Sequence, residues 1–153
     1  MTAEIQLMTQ FQFSLETLLS LRREQEQECE IALSRAVGRL VNIEKQIEDA
    51  AKKGEEVFLA GGNTLELLRL RENVWQKSRQ DIQKLQEPRE EARQQVSKER
   101  HVYRQAHAKK MALEKLREKR KEEWKIKIKR EEIKQLDEVA KGAAARMKLR
   151  GGE

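Results

Sequence analysis

The residue types that most often carry catalysis or bind metals are scarce in this sequence. The two histidines, His101 and His107, stand six residues apart, and a helix places residues at that spacing on different faces, unlike the i, i+4 pair of a helical zinc site. Cys29 is the only cysteine, so no disulfide can form within the chain. It also has no evident base beside it. We therefore expect neither metal ligation nor thiol chemistry.

Paired carboxylates and a glycine pair are the other candidates for chemistry. The acidic pairs are Glu90-Glu91, Glu122-Glu123 and Glu131-Glu132, but catalytic sites need a concave pocket, and we expect these pairs to be surface charge. Gly61-Gly62-Asn63 lacks the G-x-x-x-x-G-K-[ST] pattern that cradles phosphate, so it predicts a turn. The sequence thus predicts a protein that is not an enzyme, with no cofactor, no metal and no small-molecule substrate.

The composition cannot fill the thick apolar core of a compact globule. Charged residues make up 39% of the 153 residues and aromatic residues only 4%, which fits either disorder or a long helix that buries a thin apolar seam against a partner. The N-terminus has no basic and apolar leader, and no apolar run approaches the roughly 18 residues of a membrane span. We expect a cytoplasmic protein.

Helical periodicity decides between disorder and helix. Apolar residues recur three and four residues apart, interrupted only by polar gaps at Arg22 and Gln25, which is the period of a helix that packs one face. This first series is Phe11, Leu15, Leu18, Cys29, Ala32, Ala36, Leu40, Ile43, Ile47 and Ala50. A T-x-x-Q capping box begins at Thr9, although a start near Thr2 is also open. We expect helix one over about residues 5–58.

A second, longer series follows a turn expected over residues 59–63. The glycines permit positive φ, and Asn63 is suited to cap the next helix. Trp75, Ile82, Val96 and Tyr103 keep a seven-residue register, with Leu85, Ala92, Ala106 and Leu113 as companions. They predict helix two over about residues 64–142, kinked or less favourably broken at Pro88, and a flexible tail over 143–153.

Neither helix can bury its seam alone, and a short loop makes them antiparallel neighbours. The fold class is therefore all-α, a long two-helix antiparallel coiled-coil hairpin forming a single domain over residues 1–153. Folding about Gly61 predicts a register. The expected pairs are Ile47 with Trp75, Leu40 with Ile82 and Phe11 with Met111.

That register leaves residues 115–150 with little of helix one to pack against. Residues 112–150 carry 14 Lys and Arg against 8 Asp and Glu. The overhang still contains the apolar residues Leu116, Trp124, Ile126, Ile133, Leu136 and Val139. An apolar seam on a basic helix without an internal partner is an expected docking surface for an acidic protein.

Two stretches at opposite ends of the chain resemble one protein family. Residues Phe11 to Arg22 match the opening F-x-F-x-L-x-x-L-L-x-L-R of FliJ, the soluble component of the flagellar type III export apparatus. The second match runs from Ala112 to Arg120 and continues through Trp124. It ends at Glu132 to Glu138, where the family commonly carries E-x-x-x-L-D-E. Length and two-helix layout also fit, so the resemblance covers nearly the whole chain.

The resemblance implies a fold similar to the central stalk (γ) subunit of rotary ATPases, and a set of partners. FliJ sits in the hexameric ring of the export ATPase FliI and promotes its assembly. It also contacts the export gate protein FlhA and the substrate export chaperones. This chain would then couple the ATPase to the gate, recruited from the cytoplasm to the inner face of the cell membrane.

Two surfaces follow from this hypothesis. The ATPase ring would be met by Lys125, Lys127, Lys129, Arg130, Lys134, Leu136, Asp137 and Glu138. The export gate would be met at the hairpin tip by Phe58, Leu59, Leu67, Leu70 and Val74. The alternatives are a solvated charged face for the lysines, and core positions for Trp75 and Leu68.

Three other functions stay open from the residues. A YscO-like virulence-secretion stalk shares the architecture, and a blander reading is a coiled coil that associates with itself through its overhang. A nucleic-acid-binding coiled coil is permitted by the pI near 9.5. Against it, acids interleave with the lysines and do not leave a continuous stripe for phosphates.

Overall fold

Two helices make up most of the chain that the computed structural model describes, residues 10–152. Helix α1 spans Glu16–Leu59 and helix α2 spans Leu65–Arg150. The helices pack against each other, and the described residues contain no strand. The predicted all-α helical hairpin is thereby confirmed, whereas its likeness to a rotary stalk subunit stays a prediction.

Contacts divide the chain into two compact units, each built from part of both helices. Unit 1 contains Met1–Arg22 and Lys109–Glu153, and unit 2 contains Arg23–Ala108. Within each unit the two helix segments run antiparallel, because residues early in the α1 segment contact residues late in the α2 segment. The single domain expected over residues 1–153 stays a prediction.

The apolar series read from the sequence faces the helix–helix contact. Every residue of the first series, from Phe11 to Ala50, is buried or half-buried, and so are the polar gaps at Arg22 and Gln25. Ala92 and Val96 of the second series are among the most buried side chains of α2. Burial of these stripes is the main contribution to the stability of the hairpin, since long helices in water are stabilised mainly by packing an apolar face.

Helix α1 begins later than predicted. The expected start near residue 5 and the Thr9 cap lie outside the described residues. Residues 10–13 are not helical, and the amide of Glu16 donates to the carbonyl of Phe13 at 3.1 Å in a turn that opens the helix. The Phe-x-Phe segment is held outside the helix because its aromatic rings pack against α2.

The turn between the helices uses glycine where the backbone requires it. Gly62 has a φ of +143°, a conformation that residues with a side chain rarely adopt. The carbonyl of Thr64 accepts the first helical hydrogen bond, from Leu68 at 3.0 Å, so the cap position is Thr64 and not Asn63. Helix α1 already ends at Leu59, so that the glycines end it stays a prediction.

Helix α2 is longer than the sequence suggested. It passes Pro88 without a break and continues to Arg150, so the less favoured alternative of a break does not occur. The tail predicted from residue 143 is helical for most of its length. Proline removes one hydrogen bond, but strong helix formers follow it. The last turns contain alanine, methionine, leucine and basic residues, all of which favour helix. A kink at Pro88 stays a prediction.

The predicted register is wrong. In unit 2, Trp75 lies against Phe58, with ring centroids 6.1 Å apart, and not against Ile47. In unit 1, Phe11 lies against Trp124 at 5.9 Å, and not against Met111. The predicted register assumed that the helices pack against each other directly on both sides of Gly61. Residues 61–70 are all exposed, so the packing of α2 begins later in the chain than this register assumed.

Small residues allow a close contact between the helices of unit 2. A Cβ built on Gly54 would lie 3.0 Å from the Ser78 Oγ, and the Ser78 hydroxyl donates to the carbonyl of Ala50. A glycine inside a helix costs about 1 kcal/mol relative to alanine. Here that cost is offset by the close helix–helix contact that glycine permits.

Candidate protein-interaction surfaces

The N-terminal segment of unit 1, residues 10–15, lies across α2 and is called the strap below. Phe13 is 7% exposed, and the guanidinium of Arg120 lies 5.5 Å from its ring centroid. Phe11 packs on Trp124, and the guanidinium of Arg117 lies 5.7 Å from the Phe11 ring. Such cation–π contacts hold the arginines over the aromatic faces.

Polar contacts hold the same two arginines. The Arg117 Nε donates to a carboxylate oxygen of Glu16 at 3.0 Å, and an Arg120 guanidinium nitrogen donates to the Ser14 Oγ at 2.9 Å. These arginines therefore serve the internal contact between strap and helix. Trp124 and Leu116, expected in an unpartnered overhang, are half-buried in unit 1. The unpartnered part of α2 begins later than predicted.

Beyond Trp124, α2 has few covered side chains, and this segment holds the predicted ATPase-ring contacts. All eight of those residues are exposed. Lys125 forms an ion pair with Glu122, its Nζ lying 3.0 Å from the carboxylate. The exposed apolar side chains are Ile126, Ile133, Leu136, Val139, Met147 and Leu149. The segment combines exposed apolar and basic groups, which suits binding to an acidic protein.

The tip of unit 2 carries a second exposed apolar region with a groove. Phe58 and Trp75 meet edge to face across the two helices, and the guanidinium of Arg79 lies 4.7 Å from the Trp75 ring centroid. A groove of about 470 Å³ lies beside them. Small residues, Gly54 and Ser78, line it together with the aromatic rings. Its size suits one or two apolar side chains of a partner.

The predicted gate contacts do not form one face. Leu67, Leu70 and Val74 follow i, i+3, i+7 spacing and share one side of α2, and Val74 is half-buried. Phe58 and Leu59 come from the end of α1, and both line the groove. Trp75, for which a core position was the alternative, is 38% exposed and lies at the groove edge.

Several residues of these surfaces were missed from the sequence. Arg79 stands four residues after Trp75, a spacing that places a cation over a ring on one helix face, and this signal was available. Gly54 was also a signal, because a glycine within a helical pattern often marks a close approach. The partners of Phe11 and Phe13 had no local signal, since they are far along the chain.

The two histidines first considered as metal ligands contact other side chains of the hairpin. The Nδ1 of His107 lies 3.2 Å from a Glu26 carboxylate oxygen, and its ring stacks on Tyr103 with centroids 5.9 Å apart. His101 lies 3.2 Å from the amide nitrogen of Gln105. Among residues 10–152 no three histidine, cysteine or acidic side chains group to hold a metal ion. Over the same range, no helix combines the length and apolar character needed to cross a membrane.

Comparison with known proteins gives one match. The family model described as Flagellar FliJ protein matches residues 11–149. That range includes the strap from Phe11, all of α1 and α2 up to Leu149. No curated protein and no solved structure matches the chain.

Proposed function

The chain belongs to the FliJ family of flagellar proteins, a family of the flagellar export apparatus, and on that premise we propose that it works there by binding other proteins. The family is a structural component of export and is not known as an enzyme. The proposed partners are the export ATPase ring, the export gate protein and the export chaperones. The protein would act in the cytoplasm, at the inner face of the cell membrane.

One observation carries the proposal of an ATPase contact: the end of α2 beyond Trp124 is exposed, apolar in part and basic. Exposed apolar side chains on a helix without an internal partner favour docking, and the lysines favour an acidic partner. The ring would gain stability from the protein because a ligand that binds the assembled state shifts assembly by mass action.

Adding the protein to purified export ATPase is expected to raise the rate of ATP hydrolysis and the fraction of closed rings in electron micrographs. Reversing Lys127 and Arg130 to glutamate should weaken this stimulation severalfold at low salt, because both side chains are exposed on the basic segment. Reversing Arg69 and Lys77, exposed in unit 2, makes the same charge change and is the matched control. Equal hydrolysis with and without the protein would remove this function.

The tip of unit 2 is proposed to bind the export gate. Support comes from the density of exposed leucines there: Leu67 is 40% and Leu70 57% exposed, while Leu65 and Leu68 on other sides of α2 are 67% and 48% exposed. Exposed apolar clusters of this kind mark protein-binding sites in soluble proteins.

Replacing Leu67 and Leu70 with alanine is expected to reduce capture of the gate protein about tenfold, because two apolar anchors are lost from one face. The matched control replaces Leu65 and Leu68 with alanine. These two substitutions remove as many methyl groups as the tested pair, but from other faces of α2. Measurement is a binding titration with the purified cytoplasmic part of the gate protein. Unchanged affinity for both pairs would exclude the tip as the gate contact.

A further inference from the structure

The exposed apolar side chains at the end of α2 lie on a different face from the one that packs inside unit 1. Trp124 packs on Phe11, and Ile128 is also half-buried. Ile126 lies two residues from each of them and is 51% exposed. Two residues correspond to about 200° of helix rotation, so Ile126 points to nearly the opposite side. The face of α2 that carries Ile126 would remain exposed even if the opposite face, which packs on the strap, were also covered beyond Ile128.

From Ile126 the exposed face continues as a regular stripe. Ile126, Ile133, Ala140 and Met147 repeat every seven residues, and all four are exposed. Leu136, 69% exposed, follows Ile133 by three residues and widens the stripe on one side. A seven-residue repeat keeps one line of contact along a helix, which is the pattern of a helix packed along its length against a protein.

A row of lysines runs beside this stripe with the same repeat. Lys127, Lys134, Lys141 and Lys148 are all exposed, and each follows a stripe residue by one position, about 100° around the helix. Within residues 126–150, Asp137 is the single acid placed between stripe and row. The stripe and the lysine row together form one arc, called the docking arc below, that covers about half of the helix circumference.

We propose that the docking arc is the surface by which the end of α2 binds the export ATPase, and that the matching surface is concave, apolar along its floor and acidic along one wall. This rests on the proposed ATPase contact. The docking arc covers about half of the helix circumference. A flat partner surface that contacts the stripe would therefore not contact the lysine row, whereas a concave partner surface would contact both. The contact is one-sided: the strap side of α2 takes no part in it.

The chemistry of the arc favours a protein over a lipid surface. The alanine in the stripe adds little apolar area for insertion into lipid, but it lets a protein surface approach the helix backbone closely. Asp137 would also have to leave water in a membrane, where an acid costs more than beside a polar protein group. An acidic wall, by contrast, pairs with the lysines and repels few groups of the arc.

This assignment sorts the predicted ring contacts. Lys127, Arg130, Lys134, Leu136 and Asp137 lie on the docking arc, and Lys129 lies within its stripe. Lys125 and Glu138 lie off it. The arc adds Lys141 and Met147 to the contact, together with Ile126 and Ile133, which the sequence had placed on the docking surface of the overhang but not among the ring contacts.

Two matched pairs of variants of the full chain test the docking arc. Ile133→Ser with Leu136→Ser removes the exposed stripe, and Val139→Ser with Leu149→Ser removes side chains that are 70% and 80% exposed on other faces. Lys134→Glu and Arg146→Glu make the matched change of charge. Binding to purified export ATPase is measured by titration, with the helix content of each variant from circular dichroism. We expect the arc variants to lose at least about tenfold in affinity and the others less than about twofold.

Each outcome bears on the inference. Equal effects of the two serine pairs, or a larger effect off the arc, overturn it while leaving the ATPase contact standing. No binding by the wild-type chain overturns the ATPase contact and this inference with it. A parallel titration uses vesicles of phosphatidylglycerol and phosphatidylethanolamine. If the arc variants lose vesicle binding but bind the ATPase like wild type, the arc serves the membrane and the inference is wrong.

Discussion

Leu19→Ala is expected to lower the free energy of unfolding of unit 1 by about 2–4 kcal/mol, the range for leucine deletions in packed cores. Leu19 is fully buried, at 0% exposure, the only large side chain among the described residues in that state. Removing its methyl groups loses their burial and leaves a cavity where they were packed.

Urea unfolding monitored by the fluorescence of Trp124 measures this effect, in a background where Trp75 is replaced by phenylalanine. Trp124 reports on unit 1 because it packs on Phe11 of the strap. Leu21→Ala is the matched control, since Leu21 is 47% exposed two residues away. It should cost less than about 1 kcal/mol, because nearly half of its surface is already in water and truncation there leaves no enclosed cavity. Equal losses for Leu19 and Leu21 would contradict the packing described for unit 1.

Gly54→Leu is expected to destabilise unit 2 by about 2–3 kcal/mol, the upper part of the range for overpacking. A Cβ at this position would already lie 3.0 Å from the Ser78 Oγ and 3.7 Å from Trp75. A leucine side chain has no room there, so the helices must separate or Trp75 must leave its contact with Phe58. The apolar groove at the tip would be filled or lost with it.

Gly38→Leu, a substitution on the same helix, is expected to stabilise the protein. No atom lies within 4 Å of a Cβ built on Gly38, so leucine should add helix propensity and stabilise by up to about 1 kcal/mol. Thermal unfolding followed by circular dichroism, with Trp75 fluorescence in a Trp124→Phe background, distinguishes the two. If both substitutions stabilise, Gly54 does not mark a close helix contact.

Leu19→Ala and Gly38→Leu change folding and leave the docking arc, the groove and the gate leucines as they are. Their effects on binding should therefore follow the folded fraction and disappear at temperatures where the variants are fully folded. The surface variants should show the reverse pattern, with altered affinity at unchanged stability. This contrast distinguishes apolar residues that stabilise the fold from apolar residues that bind a partner.

The sequence by itself determined the helices and the family. A three- and four-residue apolar period specifies helix wherever it persists, and a glycine pair favours a turn for steric reasons that are local. The Phe-x-Phe and Leu-Asp-Glu motifs are local too, and the family model match over residues 11–149 agrees with them. These features need no knowledge of which helix face meets which.

Only the tertiary structure decided the register of the two helices, the packing of the strap on α2, and which face of α2 is buried. An apolar repeat of seven residues allows several antiparallel registers with similar burial, so periodicity cannot select one. The choice is made by contacts between distant residues: Gly54 against Ser78, and Phe11 against Trp124. Those contacts fix which face of α2 is covered, and thereby leave the stripe at Ile126 and Ile133 exposed to a partner.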